Sequence, residues 1–326
     1  MKKNIAIVAG GDSSEIVVSL KSAEGIRSFI DNDKYNVYIA IVKKGDWSVQ
    51  LGNGGKAPID KNDFSFCKEG KKVRFDFAYI TIHGTPGENG LLQGYFEMIG
   101  LPYSCCNVLA AALTFDKNVC KNYLKGFGVR VADSMYVRRG ERVAAADVVS
   151  RLGLPLFVKP NADGSSFGVT KVKEASQLGE ALEKAFGEGS DVLIERFLAG
   201  TEVTCGCYKV KGKSVVFPPT EVVTENEFFD YDAKYNGQVS EITPARISAE
   251  LTEKIQSLTL RIYDILGAKG IIRTDYIIDA DGEPYMLEVN TTPGMTATSF
   301  IPQQVRAAGL DIKEVMNDII ENEINN

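Results

Sequence analysis

The chain has 326 residues, 44% hydrophobic and 25% charged, and its 43 acidic residues outnumber 37 Lys and Arg to give a net charge of −6. That length allows two or three domains with real cores, and the composition excludes wholesale disorder, a general affinity for nucleic acid or anionic membrane, and a bilayer-spanning stretch. Cys67, Cys105, Cys106, Cys120, Cys205 and Cys207 lack a CxxC spacing and stand beside one histidine, His83, so they read as reduced cytosolic thiols and not as a zinc site.

The first apolar run, Ile5 to Ala9, closes in Gly10 and Gly11. It is too short for the core of a signal peptide and reads as a buried strand. Helical spacing follows at Ile16, Leu20, Ala23, Ile26 and Ile30. YNVYIAIV (35–42) and FDFAYITIHG (75–84) are strand-like. This alternation predicts an α/β fold that opens with a parallel, Rossmann-like sheet. LPYSCC (101–106) reads as a linker. Beyond it the element types mix without strict alternation, which suggests α+β architecture. A helix is expected around Asp116–Gly126, strands near 135–137, 155–158, 168–173 and 191–196, and a helix at 175–186. The last third has GTEVTCGCYKV, a long polar loop near 221–244, a helix at 248–266, a hairpin at 270–290 and a helix from 311.

The hairpin, GIIRTDYIIDADGEPYMLEVN, carries the sharpest chemistry. Asp281-Gly282 is a strong turn signal. If that pair centres a two-residue turn, Asp275 lies opposite Glu288 and Arg273 opposite Asn290. Side chains two apart on a strand share a face, so all four cluster. Two carboxylates and an amide oxygen are hard donors suited to Mg²⁺. The competing reading is a solvated face with cross-strand ion pairs. NTTPGMT follows, a polar turn whose amides can meet an anion.

VKPNADGSSFGVTKV sets Lys159 at the end of a strand, before Gly164, Ser165, Ser166 and Gly168. Such a loop lets backbone amides approach phosphate, though it is not a GxxxxGK[ST] P-loop and equally suits an ordinary hairpin. Lys117 in FDKNVCK and the carboxylates Glu195 and Glu202 in VLIERFLAGTE are individually unremarkable. GGDSSE (10–15) is placed to bind an anion at a helix start, or to supply Ser13 or Ser14 as an N-cap with Glu15 in the first turn. HGTPGENG (83–90) puts His83 at the carboxyl end of a parallel strand, where open α/β sheets bind ligands. A structural role for that histidine is equally open.

Together these segments resemble the D-alanine–D-alanine ligase family of the ATP-grasp superfamily. The likeness runs through GGDSSE, HGTPGENG, LQGYFEMIGLPYSC (92–105), DK (116–117), VKPNADGSSFGV (158–169), IERFLAG (194–200), YDAKY (231–235) and LEVNTTPGMT (287–296). The resemblance implies three domains: a Rossmann-like substrate domain (1–103), a central ATP-grasp subdomain (104–196) and a C-terminal ATP-grasp subdomain with the metal site (197–326). It implies that Lys117 and Lys159 hold the nucleotide's phosphates. Glu195, the backbone of Arg196 and Leu198, and Glu202 would contact adenine and ribose. Asp275, Glu288 and Asn290 would ligate two Mg²⁺, with Mn²⁺ as a substitute. Glu15 would hold the first D-alanine's ammonium, in a triad with Ser165 and Tyr235. Arg273 and the Gly294 backbone would face the oxyanion, and Lys234 would close over the γ-phosphate. His83, Ser299 and Phe300 would contact substrate, although Leu is common at the last position. The expected partners are ATP and two D-alanines, with no nucleic acid or membrane, and the family implies a homodimer. Against this stand a sibling ligase using D-lactate or D-serine, a nicotinamide oxidoreductase and a silent nucleotide sensor. Tyr235, the missing GxGxxG and the retained metal ligands count against each in turn.

Overall fold

The computed structural model describes residues 2–13, 15–52, 54–162, 168–189, 191–224 and 239–325. Among these, the first sheet holds β1 (Lys3–Gly10), β2 (Tyr35–Lys43), β3 (Asp46–Gln50), β4 (Lys56–Asp60), β5 (Ser65–Lys68), β6 (Lys71–Val73) and β7 (Phe77–Ile80), in the order β6-β5-β4-β3-β2-β1-β7. β1 lies parallel to β2 and β7, and helix α1 (Ile16–Phe29) makes the crossover between β1 and β2. Ile5 to Ala9 are fully buried, which is why this strand reads as one unbroken apolar run.

The parallel winding covers only those three strands. Between them the chain adds an antiparallel meander, β2 to β6, so the sheet is mixed. Short connections force this, because a parallel partner needs a long crossover. At Glu69 and Gly70 both turn residues have positive φ, 51° and 74°, the conformation that matches a two-residue hairpin to strand twist.

Helices α2 (Leu91–Ile99), α3 (Val108–Phe115) and α4 (Lys117–Lys125) follow; none but the last was expected. The segment 101–106 is no loose linker. It lies against β7, with Ala78 N–H donating to the Pro102 carbonyl at 2.9 Å and Ser104 N–H returning to the Ala78 carbonyl at 2.9 Å. Asp116 caps α4 by accepting from Val119 N–H at 2.9 Å. The second sheet, antiparallel, orders β8 (Ser134–Arg138), β9 (Leu156–Pro160), β10 (Thr170–Val172) and β11 (Asp191–Arg196) as β10-β9-β11-β8. Val148 and Leu152 of α5 (Ala145–Leu152), with Leu178, Ala181 and Ala185 of α6 (Leu178–Glu188), cover one face of it.

The third sheet orders β12 (Thr201–Val210), β14 (Thr220–Thr224), β15 (Val239–Ile242), β16 (Ile272–Ile278) and β17 (Pro284–Asn290) as β15-β14-β12-β16-β17, with β13 (Lys213–Val216) on β12. The stretch expected as one loop at 221–244 is bounded by β14 and β15, which pair antiparallel. Residues 225–238 between them, with Lys234 and Tyr235, lie outside the described residues, as does Ser165. Ser248 caps α7 (Ala249–Leu266). Two further helices, α8 (Phe300–Ala307) and α9 (Ile312–Ile324), close the chain's path. α9 returns to the first sheet, so Val315, Met316, Ile319 and Ile320 share a core with Ile5, Ile7, Ile26 and Ile30.

Candidate active site

The hairpin reaches the expected pairing by an unexpected route. Its turn spans Asp279 to Glu283, with Gly282 N–H donating to the Asp279 carbonyl at 3.1 Å and Ile278 opposite Pro284. On that register alone Glu288 would share the inward face of Met286. A β-bulge beside Asp275/Tyr276 leaves Leu287 as the extra residue and shifts the pairing by one. Asp275 therefore meets Glu288 and Arg273 meets Asn290, while Met286 and Val289 both stay in the core with Tyr276 and Ile278.

The four side chains form a tight polar group. The guanidinium of Arg273 donates twice to Asp275, Nε to Oδ1 and Nη2 to Oδ2, each at 2.8 Å. Thr204 Oγ1 donates to Asp275 Oδ1 at 2.5 Å, and Asn290 Nδ2 to Asp275 Oδ2 at 3.1 Å and Glu288 Oε1 at 3.5 Å. Burial works against the charge of Arg273, but Asp275 and Glu288 outweigh it and hold its pKa above the usual arginine value. The guanidinium also lies 5.2 Å from the centre of the Phe300 ring. Among the described residues no three His, Cys, Asp or Glu side chains cluster as a metal cage. Two carboxylates and an amide fit an oxygen-loving cation only if phosphate oxygens complete its shell, as Mg²⁺ commonly requires.

Arg273, Glu288 and Asn290 of this face line a cavity of about 410 Å³ that also takes in Glu15, His83, Lys117, Gly294, Ser299 and Phe300. Glu15 occupies the cap position of α1, one residue before the first turn, and is buried. Ser13 Oγ accepts from Glu15 N–H at 3.3 Å and donates to the His83 carbonyl at 2.9 Å, tying the two loops together. α1 lies close to the 291–296 segment because Gly25 has no Cβ; one there would collide with the Met295 carbonyl. Ser299 Oγ accepts from Thr296 N–H at 3.1 Å.

Glu88 belongs to this cavity and was not singled out from the sequence. Its Oε1 accepts from Thr292 Oγ1 at 2.6 Å and its Oε2 from Gly84 N–H at 2.7 Å. Burial, with Glu15 and Glu288 nearby, pushes its pKa up to about 7 against those two hydrogen bonds. The signal was present: an acidic residue in a Gly-rich loop at the carboxyl end of a parallel strand.

The nucleotide-type residues sit apart, at the ends of β9, β11 and β12. Lys159 and Glu195 form an ion pair, and Glu195 takes a second lysine, Lys121 of α4, on its other oxygen. Burial would raise the Glu195 pKa, but the two ammonium groups hold it at about 2. The Arg196 amide donates to the Asp133 carbonyl at 2.9 Å, so any adenine contact there falls to its carbonyl. Glu202 lies on β12, between Val222 of β14 and Ile277 of β16. α4 joins the two regions: Lys117 N–H and Asn118 N–H donate to the Asn161 carbonyl and Oδ1 at 3.1 and 2.9 Å, and Lys121 feels Glu288.

Three sheets with a charged hairpin face and lysines on neighbouring elements define an ATP-grasp enzyme. Residues 4–106 match the family description "D-ala D-ala ligase N-terminus", and residues 123–321 match "D-ala D-ala ligase C-terminus". The chain belongs to the D-alanine–D-alanine ligase family. It is 73% identical over 326 residues to the D-alanine–D-alanine ligase of Parabacteroides distasonis, covering 100% of this chain and 99% of that one. The D-Ala:D-Ser ligase VanG of Enterococcus faecalis has a similar structure, with a TM-score of 0.88 at 32% identity over 99% of this chain and 100% of that one. The Bacillus anthracis D-alanine–D-alanine ligase complexed with ATP gives 0.76 at 30% identity, over 99% and 97% of the two chains.

Proposed function

We propose that the chain joins two D-alanines into D-alanyl-D-alanine at the expense of ATP, supplying peptidoglycan synthesis from the cytoplasm. The observation that carries this is one cavity bringing Glu15, from the first unit, against Arg273, Glu288 and Asn290 of the hairpin. Among the described residues no helix is long and apolar enough to cross a membrane. We read the units as 1–103, 104–196 and 197–326, each holding one of the three sheets, with a homodimer as the family's implication.

Lys117 and Lys159 hold the phosphates, and Glu195, Arg196, Leu198 and Glu202 hold the nucleoside. Asp275, Glu288 and Asn290 would hold two Mg²⁺, or Mn²⁺, which when bound offset the charge gathered around the phosphates. Glu15 takes the first D-alanine's ammonium, while His83, Ser299 and Phe300 shape the remaining substrate space. A carboxylate oxygen of that D-alanine bonds to the γ-phosphorus as the bond to the β-phosphate oxygen breaks, and ADP leaves. The amine of the second D-alanine then bonds to the activated carbonyl carbon; its C–O bond to phosphate breaks, and phosphate and a proton depart. Arg273 and the Gly294 amide stabilise the oxyanion of that step. Ser165, Lys234 and Tyr235 keep the roles the resemblance gives them.

The test is phosphate release with ATP, Mg²⁺ and a panel of D- and L-amino acids and D-lactate, with mass detection of the product. D-Alanine alone should support full turnover, and D-alanyl-D-alanine should dominate over D-alanyl-D-lactate at neutral pH. No release with D-alanine would overturn the assignment.

A further inference from the structure

α4 carries a lysine that the proposed chemistry does not use. Lys121 lies on the inward side of the helix with Cys120 and Leu124, and its side chain is 3% exposed. Lysines that deep are rare unless paired. Its partner is the buried Glu195, whose Oε1 takes Lys121 and whose Oε2 takes Lys159. Two cations thus share one carboxylate. They are unequal, because the Lys159 side chain is 14% exposed and stands near the end of β9. Burial, and then Lys159 against the pull of Glu195, bring the Lys121 pKa down to about 8.

We propose that Lys121 is a positioning residue that frees Lys159 for the nucleotide, by keeping Glu195 paired when Lys159 turns to phosphate. The inference rests on reading Lys159 as a phosphate ligand. An incoming polyphosphate competes with Glu195 for Lys159. With Lys121 in place, Glu195 gives up one of two partners and remains compensated. Without Lys121, Lys159 is its one remaining ion-pair partner among the described residues, and drawing it away leaves a buried carboxylate unpaired, which strongly opposes the exchange. Lys159 would then stay parked on Glu195. The deeper lysine is the fixed partner and the shallower one the mobile partner.

The experiment compares ATP binding by calorimetry, and KM for ATP and for D-alanine, in the parent, Lys121→Met, Lys121→Arg, Glu195→Gln and the double variant Lys121→Met with Glu195→Gln. Lys121→Met should weaken ATP about tenfold or more, because the charge left behind is buried, with less than about a twofold change in KM for D-alanine. Lys121→Arg, which keeps the charge, should stay within about threefold of the parent. In the Glu195→Gln background, loss of Lys121 should cost less than about threefold, since no carboxylate remains to hold Lys159. If Lys121→Met fails to fold, the arginine variant and the Glu195→Gln background decide the question. Undiminished ATP affinity in Lys121→Met, a tenfold loss in folded Lys121→Arg, or a tenfold loss in the Glu195→Gln background would each overturn the proposal. Failure of the parent itself to bind ATP would instead remove the nucleotide-site reading on which it rests.

Discussion

Side chains in the cavity shift one another's charge, and burial sets how far. Glu88 takes up its proton more readily in the folded chain than its ordinary value of 4.5 allows, because burial raises its pKa to about 7. The folded state therefore binds more protons than the unfolded one across that interval, and its stability contribution falls as pH rises from about 4.5 to 7. Glu88→Gln should remove that slope. Unfolding curves of the nucleotide-free protein and the variant at several pH values check it, and a difference that does not change with pH would contradict the sign. Glu288→Gln should fold normally yet lose turnover by orders of magnitude, because it removes one of the two paired carboxylates proposed to hold the metal beside the phosphates. Near-parental phosphate release at modest Mg²⁺ would count against Glu288 as a ligand. Phe300→Leu removes the ring beside Arg273, worth roughly 0.5–1 kcal/mol or two- to fivefold in kcat/KM for the second D-alanine. The bidentate bond to Asp275 limits the loss. Steady-state kinetics at saturating ATP provide the measurement.

At the level of elements, the hairpin shows what local pattern can and cannot convey. The pairs Asp275–Glu288 and Arg273–Asn290 were legible from the Asp-Gly turn and the two-residue repeat. The turn itself is longer than that inference assumed, and the bulge at Leu287 restores the offset. Nothing in a period-two pattern announces a bulge; only the change of inward residue from Met286 to Val289 hints at one. Deleting Leu287, the extra residue, should leave a regular ladder in which Glu288 still faces Asp275 and Val289 still points into the core. Cooperative thermal unfolding and turnover should both survive the deletion, measured by circular dichroism and phosphate release; loss of the cooperative transition would show that Leu287 is not a mere extra residue in the ladder. Lys121 was hidden for a different reason. A lysine in a short helix normally points to water, and only tertiary packing against Glu195 gives it another meaning. The antiparallel strands β3 to β6 escaped because their runs are short and their turns, not their periodicity, decide the pairing.

Across the whole molecule, the α/β class and the order of the three units could be read from alternating patterns and motif spacing. How the units close on one another could not, because that depends on contacts between residues far apart in the chain. The clearest case is α9, whose Met316 and Ile320 are fully buried with Ile5 and Ile7 of the first strand. Met316→Ala should cost about 2–5 kcal/mol by opening a cavity there, and should lower the melting temperature of the first sheet and the last helix together. Hydrogen exchange on β1 amides would follow it; unchanged protection of β1 would show that the shared core is not cooperative. The same packing has a bearing on biosynthesis. At about 5–20 residues per second on the ribosome, on the order of tens of seconds separate the emergence of β1 from that of α9. Throughout that interval the apolar surface of the first sheet that α9 later covers stands open to chaperones. The first sheet is thus made well before α9 and completed only with it, and nascent chains arrested before α9 should be held by chaperones more strongly than chains that include it.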